Sequence, residues 1–325
     1  MRALLIVNPH ATSTTPLRRD VIARALSSAV ELEVVQTRYR GHATSLAAAA
    51  RNDGFGLVLT LGGDGTVNEA VNGILGGSAA DSAASDAASG PAAIGGTAAS
   101  VPALAALPGG NANVFTRAAG LPADPVDATG QVLQALAEGR YRRIGLGLAG
   151  DRYFTFHAGL GLDAEVVRAV DGHRARGRAA TSVLYLRMIL RQFYRVTDRR
   201  HPALTLERDG HPPAGPLFLG IVSNTAPWTY LGRRPVYTSR QAAFDRGLDL
   251  FALRSLGTVS TLRTASRLLS ADGEPRGRSV LALHDQAELT LRSARPVAFQ
   301  LDGEYVGERE SVRFLSVPDA LRIVA

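Results

Sequence analysis

The residues best equipped for chemistry in this chain form one run, Gly62-Gly63-Asp64-Gly65-Thr66-Val67-Asn68-Glu69. It follows an apolar stretch, Leu57–Leu61, and opens a helical pattern. Three glycines around one aspartate let bare backbone N–H groups approach an anion closely. A helix N-terminus behind them adds partial positive charge. Asp64 in the turn is placed to hold Mg²⁺ on a phosphate. Alone, such a run also fits a plain strand-to-helix turn with Asp64 as a cap. Thr66, Asn68 and Glu69, in phase behind it, favour the phosphate reading. A second glycine turn, Pro108-Gly109-Gly110-Asn111-Ala112-Asn113, again follows an apolar stretch. A third polar turn, Asn8-Pro9-His10-Ala11-Thr12, follows the first one.

These turns need a scaffold that brings them to one edge. Apolar runs at 3–7, 32–35, 57–61 and 103–107 alternate with helical stretches at 17–28, 41–52 and 67–75. That rhythm predicts an α/β domain with a parallel sheet over residues 1–124, and ligands bind at the C-terminal edge of such sheets. Residues 76–100 interrupt it with little but Ala, Ser, Gly, Asp and Thr. So little apolar surface cannot offset the entropy of ordering, so a flexible insertion without chemistry of its own is expected. A helix is predicted from Pro125 to Glu138. From there short strands recur at 142–148, 152–158, 203–208, 216–223, 248–254, 287–292, 296–301 and 311–315, with helices near 181–196 and 258–269. Residues 125–325 thus predict a mostly antiparallel, β-sandwich-like second domain. A cleft is expected between the two domains.

Composition excludes several chemistries. The chain has 325 residues, 46% apolar and 20% charged, enough to bury a real core. It has no cysteine, so disulfides, thiolate metal sites and cysteine nucleophiles are absent. All 36 basic residues are Arg, which rules out a Walker A lysine and lysine base chemistry. No apolar run approaches the ~18 residues of a membrane-spanning helix, and the N-terminus lacks the form of a secretory signal. A cytoplasmic protein is therefore expected. The net charge of +7 favours anionic partners. Aromatics at 6% supply few stacking platforms, and no nucleic-acid-binding motif is present.

The motifs together resemble the diacylglycerol kinase catalytic-domain family, the lipid kinases that also include sphingosine and ceramide kinases. The family runs N-P-x-[SA]-G, G-G-D-G-T-x-N-E, P-x-G-[TS]-x-N and a late D-G-E. This chain has Asn8-Pro9, the whole Gly62–Glu69 run, Pro108–Asn113 and Asp302-Gly303-Glu304. The resemblance implies transfer of the γ-phosphoryl group of ATP to a lipid hydroxyl, most simply that of diacylglycerol. A long-chain base and, further off, NAD are the alternative acceptors. Carried over by position, Asn8, Thr12, Thr37, Gly62, Gly63, Asp64, Gly65, Thr66, Val67, Asn68, Glu69, Gly110 and Asn111 would line ATP with Mg²⁺. Glu304 would be the base that deprotonates the acceptor, with Asp64 also catalytic. By its residues alone, 297–306 reads as a surface hairpin across an Asp-Gly turn. Asp163 reads as a helix N-cap; in sphingosine-kinase-like relatives an acid at this place faces the acceptor hydroxyl.

Three positions depart from the family. Asn111 replaces its Thr or Ser, and Val114 stands where many bacterial members have Asp. Arg246 stands where those members hold a structural Mg²⁺ with Asp, leaving Asp245 as the carboxylate at hand. The run Gly145–Gly150 matches G-x-G-x-x-G but leads into a strand, so it is no dinucleotide fingerprint. Residues 168–208 carry ten Arg against three acids. Arg187, Arg191 and Arg195 form one i, i+4 helical row, and Leu184, Met188 and Ile189 lie on another face. The row is either a solvated basic face or a dock for anionic phospholipid headgroups at the inner membrane face. A second copy of the chain stays open as a partner.

Overall fold

The computed structural model describes residues 1–12, 14–76, 101–174, 187–188, 191–232, 234–270, 273 and 275–325. The expected insertion therefore lies, from residue 77 on, outside the described residues. Most of the helix expected at 181–196 does too. The chain divides into two compact units.

The first unit comprises Met1–Ile144, Asp151–Tyr153 and Asp319–Ala325. Its strands β1 (Arg2–Val7), β2 (Glu31–Gln36), β3 (Leu57–Gly62) and β4 (Ala103–Pro108) are all parallel, in the order β2-β1-β3-β4. Val7 pairs with both Gln36 and Leu61, and Leu61 with Leu107. The strands thus end level, and the turns after them open on one edge. Helices α1 (Pro16–Leu26), α2 (His42–Asn52), α3 (Asp64–Leu75), α4 (Val114–Ala118) and α5 (Pro125–Ala137) complete the unit. Proline sits in the first turn of α1 and α5. Thr15 caps α1, and Asp124 caps α5 by accepting from Val126 N and Asp127 N. Gly73 of α3 lies against the backbone of α2, where a Cβ would overlap Thr44 O and come 2.8 Å from Ala47 Cβ.

The boundary expected at 124/125 falls later, after Ile144. The reason is the buried face of α5. Ala128, Val132 and Ala135 share one core with Ile22 of α1 and with Leu5, Leu59, Ala105 and Leu107 of the sheet. The last residues belong here as well, with Ile323 paired parallel to Leu104.

The second unit comprises Gly145–Gly150 and Phe154–Pro318. Strands β5 (Tyr141–Ala149) and β6 (Arg152–Phe154) carry the chain from one unit to the other. Then come β7 (His157–Gly161), helix α6 (Leu162–Arg174), β8 (Leu204–Arg208), β9 (His211–Leu217), β10 (Leu219–Ser223), β11 (Thr229–Leu231), β12 (Arg234–Val236) and β13 (Leu248–Leu253). The helix Thr258–Leu268, β14 (Val280–Gln286), β15 (Glu288–Leu301) and β16 (Glu304–Val324) follow. Strands β14, β13, β10, β7 and β15 pair in that order, all antiparallel. β15 is long enough to serve two neighbours, β7 through Phe299–Leu301 and β8 through Thr290–Ser293. Leu160, Leu206, Val222, Leu250, Leu291, Phe299 and Phe314 share one core. On the other face of β10 and β13, Ile221, Phe251 and Leu253 pack with Leu162, Val166 and Val170 of α6.

The two strands expected at 287–292 and 296–301 are thus one strand. Residues 293–295 separate the two expected strands, but a register shift against β16 between Arg292 and Val297 absorbs them as a bulge. Among the described residues no helix is long and apolar enough to cross a membrane.

Candidate active site

In the first unit, the level ends of β1, β3 and β4 bring the three turns together. Gly109 N donates to Gly62 O at 2.7 Å. A Cβ on Gly110 would come 2.7 Å from Gly63 Cα, and one on Gly109 2.9 Å from Gly62 Cα. The paired glycines therefore serve first to let two backbone turns touch. Gly63 precedes α3 without any side-chain cap. The opening N–H groups of α3, on Asp64 and Gly65, thus face the edge where an anion would be bound.

Side chains stitch the turns. Asn8 Nδ2 donates to Thr66 Oγ1 (3.3 Å), and Asn8 Oδ1 accepts from His10 N (3.0 Å). Thr12 Oγ1 donates to Asn111 Oδ1 (3.0 Å), so the second glycine turn and the Asn8–Thr12 turn meet through two exposed side chains. Asp64 Oδ1 accepts from Phe115 N (3.1 Å), which ties α3 to the start of α4. Asn8, Thr12, Gly62, Gly63, Asp64, Gly65, Thr66, Gly110 and Asn111 are therefore brought to one edge. Thr37 follows β2 there, its N–H donating to Val7 O (2.8 Å).

Three residues of the run are built into the scaffold instead. Val67 is buried, 1% exposed. Asn68 is fully buried; its Nδ2 donates to Tyr153 O (2.9 Å) and its Oδ1 accepts from Arg152 Nη2 (2.6 Å). Glu69 accepts from Gly41 N (2.8 Å) and Ala43 N (3.1 Å). It caps α2, whose own N-cap, Gly41, has no side chain to do so. Asn113, at the end of the second glycine turn, has a part that motif spacing alone does not assign. It is buried at φ 46°, and its amide both accepts from Gly110 N (2.9 Å) and donates to Gly110 O (2.8 Å). That ring of bonds braces the glycine turn. The signal for it is an Asn where a turn needs a left-handed residue.

Gly110→Ala tests the touching turns. The new methyl group meets Gly63 and, at 3.2 Å, Asn113 Oδ1. Overpacking of this kind costs ~1–3 kcal/mol. If the turns hold the ATP phosphates that the resemblance implies, the expected result is a KM for ATP raised by about tenfold, with a modestly lowered Tm. An unchanged KM would show that the turns yield without cost to the nucleotide.

In the second unit the Asp302-Gly303 turn joins β15 to β16. Both residues have positive φ, 48° and 76°, and Leu301 pairs with Glu304 across them. Asp302 is buried and accepts four hydrogen bonds. Oδ2 takes Thr155 N (2.7 Å) and Thr155 Oγ1 (2.8 Å); Oδ1 takes Phe156 N (3.0 Å) and His157 N (3.1 Å). Asp302 is thus an anchor for the turn, and half-buried Glu304 is what the turn presents. Burial pushes His157 down to about 3, so its ring is neutral at ordinary pH.

Asp163 opens α6, half-buried. Burial pushes its carboxyl up to about 6, and the amide of Gln300, donating to Oδ2 at 2.7 Å, pulls the other way. A raised carboxyl binds its extra proton in the folded state. Its contribution to stability is therefore intact at low pH and lost as pH rises from about 4 to about 6. Asp163→Asn removes that loss. In urea unfolding from pH 4 to 7, the variant should gain on the parent by about 1–2 kcal/mol across the window. A difference independent of pH would contradict the raised carboxyl.

Asp245 is exposed in the turn before β13. Among the described residues no three metal-ligating side chains gather anywhere. A divalent cation at the glycine turns would accordingly rest on phosphate oxygens, water and Asp64, a donor set that suits Mg²⁺.

A parallel α/β unit with lysine-free glycine turns on one sheet edge, joined in one chain to a β-rich unit, is an arrangement suited to phosphoryl transfer. The comparisons with known proteins narrow it. Residues 2–148 match the diacylglycerol kinase catalytic domain. The chain is 25% identical over 311 residues to the diacylglycerol kinase of Bacillus subtilis (strain 168), covering 94% of this chain and 90% of that one. It is 25% identical over 318 residues to the diacylglycerol kinase of Staphylococcus aureus (strain bovine RF122 / ET3-1), covering 94% and 87%. The crystal structure of a diacylglycerol kinase from Bacillus anthracis str. Sterne superposes with a TM-score of 0.69 over 99% of this chain and 96% of that one. At 17% identity that last likeness concerns the fold alone. Residues 2–148 thus resemble the catalytic domain of the diacylglycerol kinases, and with these similarities along nearly the whole length the chain is a lipid kinase.

Proposed function

We propose that the protein transfers the γ-phosphoryl group of ATP to the free hydroxyl of diacylglycerol, giving phosphatidic acid and ADP. The observation that carries this reading is the pair of touching glycine turns at the uncapped N-terminus of α3. Backbone N–H groups and a helix end can hold the phosphates without a lysine. Mg²⁺ on the phosphate oxygens, with Asp64 as the protein's carboxylate, would neutralise the charge that builds up there. In the other unit Glu304 takes the proton from the acceptor hydroxyl as its oxygen attacks phosphorus. Asp163 contacts the same hydroxyl. Little covalent chemistry is left to the protein, and positioning and electrostatics supply the rate.

The reading also turns the basic stretch toward anionic headgroups at a membrane surface. Of its row, Arg187 and Arg191 are exposed and Met188 is buried. Leu184, Ile189 and the side chain of Arg195 lie outside the described residues.

One assay decides among acceptors. Radiolabelled ATP with Mg²⁺ is offered diacylglycerol, sphingosine, ceramide, NAD or no acceptor in parallel. Label in phosphatidic acid is expected. Label in a phosphorylated long-chain base would replace the acceptor, and label in NADP would overturn the lipid reading.

A further inference from the structure

We propose that Gln300 is the positioning residue that locks the Asp163 carboxyl to the turn presenting Glu304, setting the two acids at a fixed spacing for one acceptor hydroxyl. The proposal rests on the lipid kinase reading above.

Gln300 is fully buried on β15. A plain hairpin strand would place an aliphatic side chain there, since a buried amide is costly unless both its ends are bonded. Both ends are. Oε1 accepts from Gly303 N (2.9 Å), and Nε2 donates to Asp163 Oδ2 (2.7 Å). The orientation follows from chemistry alone, because a backbone N–H can meet only the carbonyl end of the amide. Gln300 therefore bridges the first turn of α6 and the Asp302-Gly303 turn.

A second observation is independent of the bonds. Gly159 of β7 lies directly opposite Gln300 in the register. A Cβ there would overlap Asp163 Oδ2 and come 2.7 Å from Gln300 Nε2. The missing side chain is the space in which the acid and the amide meet. Gly159 also has no positive φ that would explain a glycine on backbone grounds.

The neighbouring ionisable groups have other partners. On β7, His157 is neutral. In the turn, the Asp302 oxygens are held by Thr155, Phe156 and His157. On α6 itself, Glu165 accepts from Gln192 and Thr197, Arg168 pairs with Glu308, and Asp171 accepts from Tyr305 N. β10 contributes no ionisable side chain, and Tyr194 of the segment packed on α6 is exposed. Asp163 takes its hydrogen bond from a neutral amide rather than a cation, so it is held in place without being fixed as an anion.

The test uses the full chain with ATP and diacylglycerol in mixed micelles. Gln300→Met keeps length and volume but loses both bonds. It should lower kcat by tenfold or more with the KM for ATP within twofold. Gln300→Glu keeps the acceptor for Gly303 N. Beside Asp163 it shares one proton, and the protonated form can donate as the amide did. Relative to the parent at the same pH, its kcat should be retained while the pair holds that proton and fall as the pair loses it. A purely structural role would move Tm and leave this pH profile unchanged.

Parent-like kcat in Gln300→Met, or a loss shared equally by the KM for ATP, would overturn the proposal. If Gln300→Met does not fold, a parent-like pH profile in Gln300→Glu overturns it instead. A parent chain that labels no lipid removes the functional reading rather than the link. Carbon-13 titration of Asp163 then tests the link in Gln300→Glu, where its midpoint should move, and an unmoved midpoint refutes it.

Discussion

Glu304→Gln is expected to lower kcat by roughly 10²–10⁴, the range a positioned general base supplies. The substitution keeps the shape of the side chain and one hydrogen-bonding oxygen. It removes the ability to take a proton. The backbone of the turn should stay as it is, because Asp302 and Gln300 hold it. The KM for ATP should change little, since the glycine turns belong to the other unit. A residue that only ordered metal-bound water would behave otherwise, with raised Mg²⁺ partly restoring the rate. Near-parental kcat at saturating Mg²⁺ would remove Glu304 as the base, and Asp163 would be the next acid to examine.

What could be read in the sequence was whatever depends on local pattern. Short apolar runs between helical stretches specify parallel strands, and parallel strands place their following turns on one edge. Asn8, the Gly62–Thr66 turn and Gly110 follow from that rule without any coordinates. What could not be read depends on partners far away in the chain. Glu69 looks like part of an anion loop until Gly41 and Ala43, 28 and 26 residues earlier, are seen to need a cap. Gly109 and Gly110 look like phosphate glycines until Gly62 and Gly63 are seen touching them. The helix Pro125–Ala137 was expected to open the second domain, yet its buried face belongs to the first unit. The bulge in β15 was hidden because residues 293–295 interrupt the apolar pattern, and only pairing with β16 shows the strand continuing.

The D-G-E motif shows the same division within three residues. Its Asp is spent on structure, its Gly on a turn with positive φ, and its Glu on presentation. The motif's spacing is therefore a mechanical requirement. A two-residue turn sets Glu304 opposite Leu301, and the anchor one residue after Leu301 keeps that turn seated.

Asp302→Ala should accordingly be among the most damaging single changes to the second unit. Four hydrogen bonds end on that carboxylate, three of them from consecutive backbone N–H groups, at Thr155, Phe156 and His157. Asp302 is 3% exposed, so water cannot readily replace it. Removing an acceptor from buried donors leaves each to bear its desolvation cost, ~1–3 kcal/mol apiece before relaxation. Bonds that share one acceptor group are not additive, and a net loss of about 3–5 kcal/mol is expected. Alanine also lacks the ability of Asp to sit easily at φ 48°. Urea unfolding of the parent and the variant measures the loss. Asp302→Asn separates the causes, since it tolerates the turn geometry but offers one oxygen and an NH₂ that faces other donors. It should recover only the part due to backbone strain, leaving more than half of the loss. If Asn restored parental stability, the four bonds would count for little and the turn would be held by its backbone geometry alone. Full stability in Asp302→Ala itself would mean that Gln300 and the β15–β16 pairing suffice to seat Glu304.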